Sequence, residues 1–150
     1  PLLKEGLCLW HREDHPLMKK EVIELQDLID YPSVTLYVPT IMHQEGDSMA
    51  IDIGVEIEQL GIHSAIYSSQ LLIAMELLIH NDWVMLGPRT LSDSHFAREH
   101  LVQRSIENIP GFSDVQFDVW LIQHRRTASS ALHTWIREEF ARLTKTYLER

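Results

Sequence analysis

Apolar positions along the 150-residue chain fall into short runs and one long stripe, and the two spacings predict different elements. Gly6-Leu-Cys-Leu-Trp10 is a short apolar run followed by the polar cluster His11-Arg12-Glu13-Asp14, which predicts a strand that His15-Pro16 ends. Leu25 to Ile29 predicts a helix of one or two turns, begun by Glu24 and stopped at Asp30-Tyr31-Pro32, because a residue before proline is pushed out of the helical region. Val34 to Val38 is β-branched and aromatic and reads as a strand ended by Pro39. From Met49 to Leu60 the apolar residues Ile53, Ile57 and Leu60 share one helical face, with Asp47 or Ser48 as cap and Gly61 as stop. Ile62 to Tyr67 reads as the next strand. Gln70 to about His80 reads as a helix, apolar nearly all round and therefore expected to be buried, and Trp83 to Leu86 as a strand closed by Gly87-Pro88.

Strand, helix, strand, helix, strand at this spacing predicts right-handed βαβ units and a parallel sheet, an α/β fold. Ligands of such sheets lie outside the carboxyl ends of the strands. Those ends carry Pro39 and Thr40, Ser68 and Ser69, and Pro88, which makes these five residues the candidate binding site. One of the two serine hydroxyls is expected to cap the Gln70 helix, leaving its neighbour and the helix N–H groups to hold a polar or anionic ligand. Thr40 is equally readable as a plain loop residue.

The rest of the chain follows a different pattern. Ser92 to Leu101 predicts a helix, Val102 to Gly111 a connection with a Pro-Gly turn, and Phe117 to His124 a strand. Ala128 to about Tyr147 predicts a long helix with an apolar stripe at Ala128, Ala131, Leu132, Trp135, Ile136, Phe140, Leu143 and Tyr147. Trp135 and Phe140 are expected in a core.

Composition narrows the function. Hydrophobic residues at 45% and charged residues at 23% are ordinary for a globular domain. No apolar run reaches the ~18 residues that cross a bilayer, since Glu76 interrupts Leu71 to Ile79, so no membrane role is expected. The start, Pro-Leu-Leu-Lys-Glu, has no basic region or small-residue cleavage site. The lone Cys8, inside an apolar run, is expected to be a buried thiol, compatible with the cytoplasm. The net charge of −9 would repel phosphates, so DNA contact would have to come through a domain outside these residues.

Nine histidines raise the question of a metal. His11 and His15 are four apart, but Pro16 makes a shared helix face untenable, and a solvated loop is expected there. His43, Glu45 and Asp47 form a second loop cluster without a further partner. His63, His80, His95, His100, His124 and His133 are expected on surfaces or at element ends. No Gly-x-Ser-x-Gly, no Cys with an assembled His partner and no phosphate-binding Gly-rich loop occurs, so neither an enzyme nor a cofactor is indicated.

The ordered set of motifs resembles the effector-binding region of LysR-type transcriptional regulators. The strand running into His15-Pro16-Leu17, the Ile23-Glu-Leu25-Gln-Asp27-Leu28 helix leading to Pro32, the strand from Val34, the Ser69 to Pro88 segment and the stretch from Phe117 to Phe140 each resemble a piece of that region, in order. The resemblance implies a periplasmic-binding-protein-like (type II) fold: residues from about 14 to 101 as the second subdomain, with 1–13 and 112–150 as hinge and remnant of the first. It also implies a small-molecule effector between subdomains, and a homo-oligomer (dimer or tetramer) paired through the Met49–Leu60 helix and Ile62–Tyr67 strand. A winged-helix DNA-binding domain and most of the first subdomain are not in the sequence, so the chain is expected to be a fragment, a processed product or a chain whose earlier residues are not included. A solute-binding protein of a transporter shares the fold and is the competing expectation.

Overall fold

The structure, a computed structural model, describes residues 2–36, 61–112, 115–121 and 123–148. Strands β1 (Leu3–Arg12), β2 (Ser33–Leu36), β3 (Ser64–Ser68), β4 (Val84–Pro88), β5 (Leu101–Arg104) and β6 (Gln116–Val119) alternate with helices α1 (Leu25–Asp30), α2 (Leu71–His80), α3 (His95–His100) and α4 (Ala131–Leu148). The chain divides into two compact units, one of residues 6–115 and one of residues 1–5 with 116–150.

The larger unit is built on a sheet in the order β3-β2-β4-β1-β5. β2 runs parallel to both β3 and β4, as the βαβ pattern predicts. β1 is antiparallel to β4 and to β5. Leu7 to Trp10 form an unbroken buried run because β1 is covered on both faces, so no alternation of apolar and polar residues appears in its sequence. On one face Cys8, Trp10, Val34 and Met85 pack with Ala74, Met75 and Leu78 of α2 and Ala97 of α3. Leu9 and Val84 meet Leu28 of α1 and Ile62 around a cavity of about 10 Å³, at most one water in size. α1 starts with a reciprocal cap between Glu24 and Asp27, the Asp27 carboxylate accepting from Glu24 N at 2.9 Å and from Lys20 Nζ. Cys8 is buried as expected, its Sγ 3.5 Å from the Gly87 carbonyl. Gly61 has φ +82°, a left-handed conformation suited to the helix stop that the sequence suggests.

In the smaller unit β6 pairs with β1, Leu2 N donating to Val119 O at 2.6 Å, and α4 is the long helix.

Several expectations need correction. His11 and His15 are not in a solvated loop: they are 0% and 1% exposed. β1 runs on to Arg12, and His15 caps a 3-10 turn (Pro16–Lys19) by accepting from Leu17 N, which folds both rings inward. The Ser92–Leu101 segment is a 3-10 turn (Arg89–Asp93) followed by α3, whose N-cap Ser94 accepts from Ala97 N. Leu101–Arg104 is strand β5, too short to show periodicity, where Leu101 was expected to end a helix and Val102 onward to be connection. The strand from Phe117 is four residues long. α2 is not buried all round: Ala74, Met75 and Leu78 face the core while Leu72 and Ile73 are 66% and 48% exposed. Its outer side, with Glu76, Leu77, His80 and Asn81, borders an open depression. Trp135 and Phe140 are 60% and 53% exposed, because no described residue covers the α4 stripe. His63, His80, His95, His100, His124 and His133 are exposed, as expected. The Met49–Leu60 helix, the end of the Val34–Val38 strand and the cluster at His43, Glu45 and Asp47 lie outside the described residues.

Candidate functional site

Three parallel strands bring their carboxyl ends to one edge. The register places Thr35 beside Tyr67 and Leu36 beside Ser68 on one side of β2, and Thr35 beside Leu86 on the other. Ser68 and the Gly87-Pro88 step therefore share an edge with one strand between them. Strand spacing of about 4.8 Å puts them roughly 10 Å apart, a span that a small ligand can bridge.

Each position has a local reason. Ser68 is half-buried, and its hydroxyl accepts from Gln70 N at 3.1 Å and donates to Gln70 O at 3.2 Å. That closes a tight turn one residue too early to cap α2. Gln70 takes the N-cap position and makes no side-chain cap. The expected serine cap is thus corrected, and the N–H groups of the first turn of α2 have no side chain bonded at the cap. Ser69, between them, is exposed. Pro88 is held from below: Trp10 Nε1 donates to its carbonyl at 3.2 Å. Gly87 is fitted closely, since a Cβ there would come within 3.2 Å of Trp10 Cδ1 and of Met85 Cε. Pro39 and Thr40, two of the five candidates, lie outside the described residues.

Arg89 is a residue that the sequence reading passed over. It follows Pro88, is exposed, sends Nε toward Leu7 O at 3.5 Å and pairs with Glu107 at 2.5 Å. A cation directly after a strand-ending Gly-Pro was the available signal. Among the described residues no group of three or more His, Cys, Asp or Glu could hold a metal ion, and no helix is long and apolar enough to cross a membrane.

Known structures share this architecture. The chain is similar to a candidate transcriptional regulator from Vibrio parahaemolyticus, at 17% identity and TM-score 0.71, covering 99% of this chain and 65% of that one. It is also similar to the regulatory domain of MetR, a LysR family regulator from N. meningitidis (16% identity, TM-score 0.59, 97% of this chain and 62% of that one). A third is the CcmR regulatory domain of Synechocystis PCC6803 in complex with 2-PG (16%, TM-score 0.57, 97% and 65%). The chain spans less than two thirds of the length of each of these three. Comparison with curated proteins by sequence gives no match. The model of the LysR substrate binding domain matches residues 1–144 of the 150, and the chain belongs to that family.

Proposed function

We propose that this chain senses a small polar or carboxylate effector for a LysR-type transcriptional regulator, with the effector at the strand ends against Pro39, Thr40, Ser68, Ser69 and Pro88. The observation that carries this reading is the parallel register that sets Ser68, Ser69 and Pro88 on one edge beside the start of α2. A helix start favours an anion by about 0.3–1 kcal/mol, and each neutral hydrogen bond adds roughly 0.5–1.5 kcal/mol. The sum is only a few kcal/mol, or millimolar affinity. Useful binding therefore draws on an opposite wall, which is the reason for placing the effector between two subdomains. Arg89, next to Pro88, adds a cation that suits a carboxylate. The complex of the related CcmR domain with 2-PG supports a small-molecule role.

The remaining parts of the reading follow the family. Residues from about 14 to 101 form the second subdomain, and 1–13 with 112–150 are hinge and remnant of the first. The exposed stripe of Leu132, Trp135, Ile136, Phe140 and Leu143 and the partial coverage of relatives support a partial domain. DNA contact belongs to a domain outside these acidic residues, the assembly is a homo-oligomer, and the site of action is the cytoplasm. The role is regulatory, without catalysis or cofactor. The transporter solute-binding reading is not favoured, since the matching family is that of the regulators.

The test is calorimetry on the full-length regulator, using a small carboxylate selected by thermal shift. Thr40→Ala and Ser69→Ala should each weaken binding about 2- to 10-fold, the worth of one hydrogen bond. Unchanged affinity in both variants with the fold intact would place the site elsewhere.

A further inference from the structure

Two buried histidines outside the strand-end site form a unit of their own. His11 lies at the end of β1, and His15 caps the 3-10 turn that follows. Their ring centroids are 4.9 Å apart with planes 33° from parallel, and the Tyr31 ring stands edge-on to His15 at 4.6 Å.

The backbone fixes the tautomer of each ring. His11 Nδ1 lies 2.7 Å from the Arg12 carbonyl oxygen, which only accepts, so Nδ1 carries the hydrogen and Nε2 a bare lone pair. His15 Nδ1 accepts from Leu17 N at 3.1 Å, so in the neutral ring the hydrogen is on Nε2. Both Nε2 atoms are buried, and neither has a hydrogen-bond partner at ordinary distance among the described residues, although the Asp82 backbone acts on the His15 ring as an acceptor that favours its charged form. One offers a lone pair and the other an N–H. This assignment argues against a metal held by both Nε2 atoms, because His15 would have to give up either its Nε2 hydrogen or its cap on Leu17.

We propose that the His11–His15 pair is a proton-operated latch: it holds the Pro16–Lys19 turn against the end of β1 while both rings are neutral, and it lets go when either ring takes a proton from solvent.

The two protonations fail for different reasons. A proton on His11 enters at Nε2 and turns a buried lone pair into a buried N–H, on a ring whose centroid is 4.9 Å from that of His15. A proton on His15 can enter only at Nδ1, where it displaces the Leu17 N–H. The charged groups around the pair come from every packed element. Arg12 and Asp14 lie at the end of β1, Asp82 lies before β4, and Arg104 is on β5. Asp82 and Asp14 favour a charged His15 while Arg12 opposes it, and Arg104 opposes a charged His11. The two carboxylates are already engaged by Arg12. Burial outweighs them and holds both imidazoles below their ordinary range.

Release would reach beyond the turn. Leu17, 1% exposed, would leave the core. The carbonyls of Leu17, Lys20 and Glu21, which accept from the Arg104 guanidinium at 3.1, 2.7 and 3.0 Å, would lose their places. The latch also sits on β1, whose Leu3–Glu5 belongs to one compact unit and Gly6–Arg12 to the other.

Because the closed state binds protons less readily than the open one, the latch is at full strength above about pH 6.5 and weakens as pH falls below it. The test is native-state hydrogen exchange at Leu17 and Met18 of the full chain between pH 7.5 and 5.0, with long-range ¹H–¹⁵N spectra of the histidine rings. Protection, corrected for intrinsic exchange, should fall up to tenfold per pH unit for each ring that stays neutral when closed, hence up to a hundredfold for both. In His11→Phe the limit should drop to tenfold. The ring spectra should show an Nδ1–H tautomer for His11 and Nε2–H for His15, a readout that stands even if the variant does not fold. Protection independent of pH, or the same tautomer in both rings, would overturn the proposal.

Discussion

Replacing Trp10 by Phe tests how β1 supports the strand-end edge. Trp10 is 1% exposed, lies in the main core cluster and donates from Nε1 to the Pro88 carbonyl at 3.2 Å. The substitution deletes that donor and leaves the acceptor short of a partner, a cost of about 1–3 kcal/mol, with the lower half apt for a part-buried pair. It also removes a net two ring carbons besides the nitrogen, worth about 1–2 kcal/mol at roughly 0.8 kcal/mol per buried carbon, and leaves a small cavity. The total is about 2–4 kcal/mol. With a urea m-value of ~2 kcal/mol/M the midpoint should fall by about 1–2 M. Urea titration followed by far-UV circular dichroism reads this, with Trp135→Phe as control. Trp135 is 60% exposed, and its replacement should stay within about 0.5 kcal/mol. A midpoint shift below about 0.3 M for Trp10→Phe would refute the claim that this side chain ties the end of β4 to β1.

Other outcomes follow from single contacts. Asp27→Ala removes the acceptor of Glu24 N and the partner of Lys20, and should cost about 1–3 kcal/mol by thermal or chemical denaturation. Because burial holds His11 and His15 below their ordinary imidazole range in the folded state, global stability should drop by up to about 1.4 kcal/mol per pH unit for each as pH falls below ~6.5, read from urea midpoints at pH 7.5, 6.0 and 5.0. The chain alone, with net charge −9, should give no anisotropy change with fluorescent duplex DNA at ~150 mM salt; a salt-sensitive rise would contradict that. The α4 stripe should drive self-association of the isolated chain, and Trp135→Lys with Phe140→Lys should reduce the sedimentation coefficient without loss of helix.

The parallel part of the sheet was legible because β2, β3 and β4 are apolar runs separated by helical spacing, and the edge that holds Ser68 and Pro88 came with it. What was missed has physical causes. Leu101–Arg104 is four residues long and takes its strand character from pairing with β1, not from its own pattern. The burial of His11 and His15 depends on Arg104, Tyr31 and Asp82 arriving from distant positions, so their sequence context of charged neighbours reads as loop. Trp135 and Phe140 have a core spacing, yet spacing states only that a face needs cover and not whether cover is present. Ser68 and Ser69 offered two caps for α2, but Ser68 spends its hydroxyl on the tight turn at Gln70 and neither serine takes the cap position. Arg89 was hidden because a single cation carries no periodicity, and only the register of β4 against β1 shows what it stands beside.

Amide mapping by NMR tests the central claim most directly, that a small polar or carboxylate effector binds at the carboxyl ends of the parallel strands. The full-length protein is titrated with a carboxylate that raises its melting temperature. The account predicts that the largest shifts fall on the amides of Thr40, Ser68 to Leu72 and Arg89, and that Ser69→Ala reduces them at equal ligand concentration. Shifts centred on the exposed face of α2 or along α4, with the strand-end amides unmoved, would contradict it.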